Sequence, residues 1–104
     1  MQLRPLPLPV PSPSYPLGDV VALSLDVGRP LRASCDDERE IYMLDGEVIH
    51  ARHHAKEGAD AVFALLDNVG LRFRIELDRL APRRSVILSW RRLCHEARCA
   101  LVER

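Results

Sequence analysis

Aromatic side chains make up only 5% of the 104 residues. That is too few for the stacking platforms on which single-strand nucleic-acid binders hold successive bases. Lysine is rarer still: Lys56 stands alone, and arginine carries the rest of the positive charge. Codon usage is the plainest cause of that bias. Neither sign of charge prevails, because 15 basic residues balance 15 acidic ones. A neutral chain exerts no long-range pull on nucleic acid or on a membrane, and a pI near 6.9 is far from the strongly basic range of nucleic-acid binders. The cysteines, Cys35, Cys94 and Cys99, are odd in number and have no Cys-x-x-Cys spacing. No apolar stretch of signal-peptide type follows Met1, and no run approaches the roughly 20 apolar residues of a membrane helix. The expectation is a cytoplasmic chain with reduced thiols and no membrane partner. There is also no glycine-rich phosphate loop, no Gly-x-Ser-x-Gly and no carboxylate pair of recognised spacing, so no enzyme is expected.

What is present fits one domain with one modest core. Hydrophobic residues are 47% and charged residues 29%, an ordinary globular balance. Pro5, Pro7, Pro9, Pro11, Pro13 and Pro16 fall within residues 1–17. Alternating proline removes every second backbone donor and fixes φ, which excludes helix and central strand. Residues 1–17 therefore read as an extended arm, and 18–104 as the domain. Pro13-Ser14-Tyr15-Pro16 also fits a proline-recognition pattern, a minority reading beside that of an arm.

The centre of the chain is Glu40–Gly70. Asp45-Gly46 separates two short runs rich in Ile, Val and Tyr. The dipeptide suits a type I′ turn, in which both central residues need positive φ. The runs predict a hairpin with strands near 39–44 and 47–52. A helix near 57–67 follows, with Val62, Leu65 and Leu66 on one face, Gly58 at its start and Gly70 as its stop. Leu71, Phe73, Ile75 and Leu77 alternate with Arg72, Arg74, Glu76 and Asp78, the pattern of a half-buried strand over 71–77. After Pro82, Trp90, Leu93, Ala97 and Leu101 have helical spacing, with Ser85 or Ser89 as the cap. Leu31–Cys35 suits a short strand. Residues 18–28 admit two readings: Asp19 and Gly28 would cap a helix, whereas Val21, Leu23, Leu25 and Val27 alternate as in a strand. The fold class expected is α+β, a small antiparallel sheet containing the Asp-Gly hairpin and packed by two to three helices.

Four pieces, Ile41–Ala51, Gly58-x-x-Ala61-x-x-x-Leu65-Leu66, Gly70–Ile75 and Ile87-Leu88-Ser89 with Leu93 and Glu96-Ala97, occur together in this order. In that arrangement the chain resembles the PATAN domain, a bacterial family named for the N-terminal part of a patterning response regulator. The resemblance covers about Asp19 to the end and favours a helix over 19–27. The shared residues, Asp45, Gly46, Ala51, Gly58, Ala61, Gly70 and Phe73, have structural parts to play: turns, close approaches and core filling. The resemblance implies a non-enzymatic interaction or regulatory module of bacterial signalling, with a protein partner it does not identify.

Three groups of residues bear on chemistry. His50, His53 and His54 lie near Asp45, Glu47 and Glu57, but Arg52 among them disfavours a cation, and no recognised ligand spacing is present. No metal and no cofactor is expected. Cys94 and His95 are neighbours on a predicted helix, where adjacent side chains diverge. Arg83, Arg84, Arg91, Arg92 and Arg98 form a basic end, opposite in sign to an acidic middle in which Asp36, Asp37, Glu38, Glu40, Asp45, Glu47, Glu57 and Asp60 outnumber Arg39, Arg52 and Lys56. These five arginines are the candidate partner-binding surface, for a protein or a second copy of the chain. The alternative is a nucleic-acid accessory protein using the same arginines, a partner the neutral charge disfavours.

Overall fold

The computed structural model describes residues 13–102, with side chains described as far as Arg98. The expectations for the prolines before residue 13, and for the side chains of Cys99 and Leu101, lie outside the described residues. The elements in order are α1 (Leu17–Val27), β1 (Leu31–Asp36), β2 (Arg39–Leu44), β3 (Glu47–His53), β4 (Lys56–Glu57), α2 (Ala59–Asp67), β5 (Arg74–Leu77) and α3 (Trp90–Val102). The five strands form one antiparallel sheet in the order β4-β3-β2-β1-β5, with three helices beside it, an α+β fold.

The hairpin is the sheet's centre. Asp45 and Gly46 have φ of 51° and 79°, the two positive values a type I′ turn demands. A Cβ on Gly46 would also fall 2.6 Å from Leu25 Cγ. Tyr42 pairs with His50 but Met43 pairs with Val48, so Ile49 is an extra residue, a β-bulge in β3. The pairing separates two faces. Leu31, Ala33, Ile41, Met43, Val48 and Ala51 share one, each no more than 1% exposed. They form one cluster with Val20 and Val21 of α1, Ala61, Val62 and Leu65 of α2, and Leu93 of α3. Each large apolar side chain buried there contributes about 1.5–3 kcal/mol. Ala51 and Ala61, both fully buried, present only a methyl where α2 meets β3. The opposite face carries Arg32, Ser34, Glu40, Tyr42, His50, Arg52 and Glu76.

Residues 17–27 are a helix, because Val20, Val21 and Ser24 turn to the core while Asp26 stays outside. The alternation of Val21, Leu23, Leu25 and Val27 misleads: Leu25 is 61% exposed. The helix also begins before Asp19. The Pro16 carbonyl accepts the N–H groups of Asp19 and Val20, which makes Pro16 the cap and leaves Asp19 in the first turn, where its charge suits the helix dipole. Gly28 ends the helix as expected.

Gly58 caps α2 at φ 74°, ψ −144°, a conformation open essentially to glycine alone. Gly70, in contrast, does not stop that helix. It ends at Asp67, where the Asn68 N–H closes onto the Leu65 carbonyl, and Gly70 lies in the next turn, which the Leu71 N–H closes onto Asn68. The strand expected over 71–77 is shorter, Arg74–Leu77. Phe73 precedes it and pairs with Tyr15 through two backbone bonds of 2.8 and 2.9 Å. Arg72 holds the Ser14 carbonyl at 2.6 Å. The fold thus takes in Ser14–Leu17, and Phe73, fully buried, fills the core beside that bridge. Ser89, not Ser85, caps α3: its Oγ accepts the Arg92 N–H at 3.1 Å.

Candidate functional site

Helix α3 is held from behind. Leu93 is fully buried against the core and Trp90 half-buried. Glu47, leaving the hairpin turn, accepts the Trp90 N–H at 2.8 Å and sets a carboxylate at the positive end of the helix. That anchorage leaves Arg91, Arg92 and Arg98 exposed. With Ser89, Cys94 and His95 they line an open hollow of about 580 Å³. Arg92 bonds Glu96 one turn on, at 2.9 Å. Among the described residues Arg91 and Arg98 form no ion pair. Burial pushes the Cys94 thiol up and Arg98 only partly opposes this, so the sulfur is held as the neutral thiol, the poorer nucleophile.

The structure does not gather all five candidate arginines. Arg83 is tied to Glu57 of β4 and does not line the hollow on α3. Arg84 is exposed and, among the described residues, makes no ion pair. Half of the acidic middle is matched: Asp36 with Arg39, Glu38 with His54, Glu40 with Arg32 and Arg52, and Glu57 with Arg83. The Arg39 guanidinium holds the Asp36 carboxyl down, at about 2.

The histidines take separate partners. His50 is buried, and its Nδ1 lies 2.6 Å from Ser85 Oγ. His54 has left the strand with φ 56°, and its Nδ1 meets Glu38 Oε2 at 2.5 Å. Among the described residues no group of three His, Cys, Asp or Glu side chains is placed to hold a metal ion. No described helix is long and apolar enough to cross a membrane.

The sequence reading missed the polar face of the sheet. Arg32 is its centre: Nη2 and Nε reach Glu40 Oε2 at 2.7 and 3.0 Å, and Nη1 reaches Glu76 Oε1 at 2.6 Å. Burial disfavours the charged guanidinium, but the bonds to Glu40 and Glu76 outweigh it and raise its pKa. Arg79 also joins Glu76, Arg83 joins Glu57, and Ser85 joins His50, so residues 79–85 are anchored over this face from β5 to β3. They end at the bulge, where the freed Ile49 carbonyl accepts the N–H groups of Ser85 and Val86 at 2.9 and 3.1 Å. The period-2 placing of Arg32, Glu40 and Glu76 was readable as an outward face; that it is closed by ion pairs depends on a strand order the sequence does not state. A second hollow, about 610 Å³, opens beside this network and is lined by Pro13, Tyr15, Ser34, Arg74 and Glu76 among others.

Comparison with protein-family models, with curated proteins and with solved structures finds no match to this chain. The PATAN resemblance rests on the residues that carry it.

Proposed function

We propose that the chain is a non-enzymatic interaction module of the PATAN kind, acting in the cytoplasm in bacterial signalling, and that it docks an acidic surface of a partner protein on the outer flank of α3. One observation carries the reading: Arg91, Arg92 and Arg98 line one hollow on a helix whose other side is fixed by Leu93 and by two caps, Ser89 and Glu47. A rigid base lowers the ordering cost of an electrostatically guided contact, and such contacts gain specificity and association rate more than raw affinity. The test is the double variant Arg91→Glu with Arg92→Glu. Quantitative pull-down should lose the partner that wild type retains, with the circular dichroism spectrum unchanged. Retention of every partner by the folded variant would remove this surface from consideration. Binding of a short oligonucleotide by wild type, lost above moderate salt, would instead transfer the same arginines to the nucleic-acid reading.

A further inference from the structure

Helix α1 carries its charge on one side. Asp19 and Asp26 are both exposed and stand seven residues apart, so they share the face turned away from Val20, Val21 and Ser24 and lie about 10 Å apart along the axis. The helix has no basic residue. Helix α3 has the reciprocal face: Arg91 and Arg98, both exposed, stand seven residues apart along the hollow. Ala22 lies between the aspartates and Cys94 between the arginines, both small enough for two helices to approach closely. Among the described residues none of Asp19, Asp26, Arg91 and Arg98 makes an ion pair. Asp60 and Asp67 repeat the acidic spacing on α2, but Asp67 is already engaged. Two of the four unpaired charges also oppose the helix that bears them. Asp26 is in the last turn of α1, at the negative end of its dipole, and Arg91 is in the first turn of α3, at the positive end.

We propose that α1 of one copy of the chain packs antiparallel against α3 of a second copy, with Asp26 against Arg91 and Asp19 against Arg98. The pairing rests on the reading of α3 as a docking face and names its partner. The antiparallel direction relieves both misplaced charges. It sets the end of α1 beside the start of α3, so that Asp26 meets a positive helix end and Arg91 a negative one. Parallel packing would leave Asp26 at the negative ends of both helices. The two helix ends concerned meet the hairpin tip within each copy. Ser24, two residues before Asp26, bonds Gly46, and Trp90, next to Arg91, bonds Glu47. A two-fold axis beside the tip therefore forms the contact twice, α1 on α3 and α3 on α1, and closes the pair. Exposed apolar side chains flank the tip as well: Leu25 beside Gly46, and Ile87 between the residues that bond Ile49 and Glu47. They give the seam apolar area besides its ion pairs. Exposed ion pairs each add little and are screened by salt, so the dimer is reversible and salt-sensitive.

Sedimentation velocity over a concentration series tests the pairing, with circular dichroism on every sample. Wild type should show a monomer–dimer equilibrium that added salt shifts toward monomer. Asp19→Arg with Asp26→Arg, and separately Arg91→Glu with Arg98→Glu, set like charges opposite; each should weaken the dimer about tenfold or more. Mixing the two variants places opposite charges at both contacts and should restore association. If either double variant unfolds, Asp26→Arg mixed with Arg91→Glu decides, since each reversal suits its own helix dipole. A wild type that stays monomeric at millimolar protein, a dimer that neither variant weakens, or folded variants that stay apart on mixing would overturn the pairing. The reading of α3 is scored apart from it. If wild type and the Asp19→Arg, Asp26→Arg variant are monomers and both retain a partner that Arg91→Glu with Arg92→Glu loses, α3 docks another protein and the pairing alone fails.

Discussion

Ser24 Oγ accepts the Gly46 N–H at 3.0 Å, and so a fully buried hydroxyl ties α1 to the tip of the hairpin. The bond satisfies a turn donor that water cannot reach. Ser24→Ala should therefore cost about 1–3 kcal/mol, the penalty for a buried donor left unmade. Urea unfolding checks it, with a lower midpoint and an unaltered slope expected.

Two glycines singled out as equals in the sequence should behave in opposite ways. At Gly58 a Cβ would lie 2.8 Å from the Ser85 carbonyl oxygen, on a backbone of positive φ. Gly58→Ala should destabilise by about 1–3 kcal/mol. At Gly70 a Cβ would meet nothing within 4 Å, and φ is not positive. Gly70→Ala should be neutral or stabilise by about 0.4–1 kcal/mol through the unfolded chain. Thermal melts of the pair separate the two.

These glycines show where sequence reasoning reached and where it stopped. Asp45-Gly46 announced the hairpin because turn geometry is local, and residues 39–44 and 47–52 followed from the runs rich in Ile, Val and Tyr on either side of it. Gly70 was misplaced because a glycine shortly after an apolar run suits either a cap or a later turn, and only the backbone path decides. Leu25 suggested a strand in α1 because its exposure depends on which elements cover it. The arginines of α3 were legible from helical spacing. The Arg32–Glu40–Glu76 cluster was not, since its members come from three strands whose order is a property of the whole sheet.

That cluster yields a contrast between removing one charge and replacing the pair. Arg32 and Glu40 side chains are 17% and 10% exposed. Arg32→Ala leaves Glu40 buried beside only a distant Arg52, 3.9 Å away, and should cost about 3–5 kcal/mol. Arg32→Met with Glu40→Leu removes both charges and should lie within about 1.5 kcal/mol of wild type. Denaturant titration of both variants measures the difference.

His50 makes stability depend on pH. Burial lowers its pKa, with Glu57 and Glu40 acting upward and Arg83 and Arg52 downward. The unfolded chain, near 6.5, therefore takes up this proton first as pH falls. The stability that His50 contributes is complete above the unfolded value and is lost as pH falls from there through the lower folded value. His50→Gln should remove that part of the slope, whereas His53→Gln should leave it in place. Unfolding free energies measured from pH 7.5 to pH 5 provide the check.

The extra residue at Ile49 acts on β3 as a change of reading frame. Before it, Val48 faces the helices; after it, Ala51 does, and His50 stays on the polar side. With Ile49 present but not bulged, the alternation would carry His50 into the apolar core and turn Ala51 out of it. Deleting Ile49 would remove the bulge and keep both sides as they are, since Val48 would then be followed directly by outward His50 and inward Ala51. It would also withdraw the carbonyl on which Ser85 and Val86 hang. Loops of this chain can lengthen or shorten by a residue at small entropic cost; at Ile49 one residue fewer would cost the segment after β5 the two backbone bonds that end it on β3.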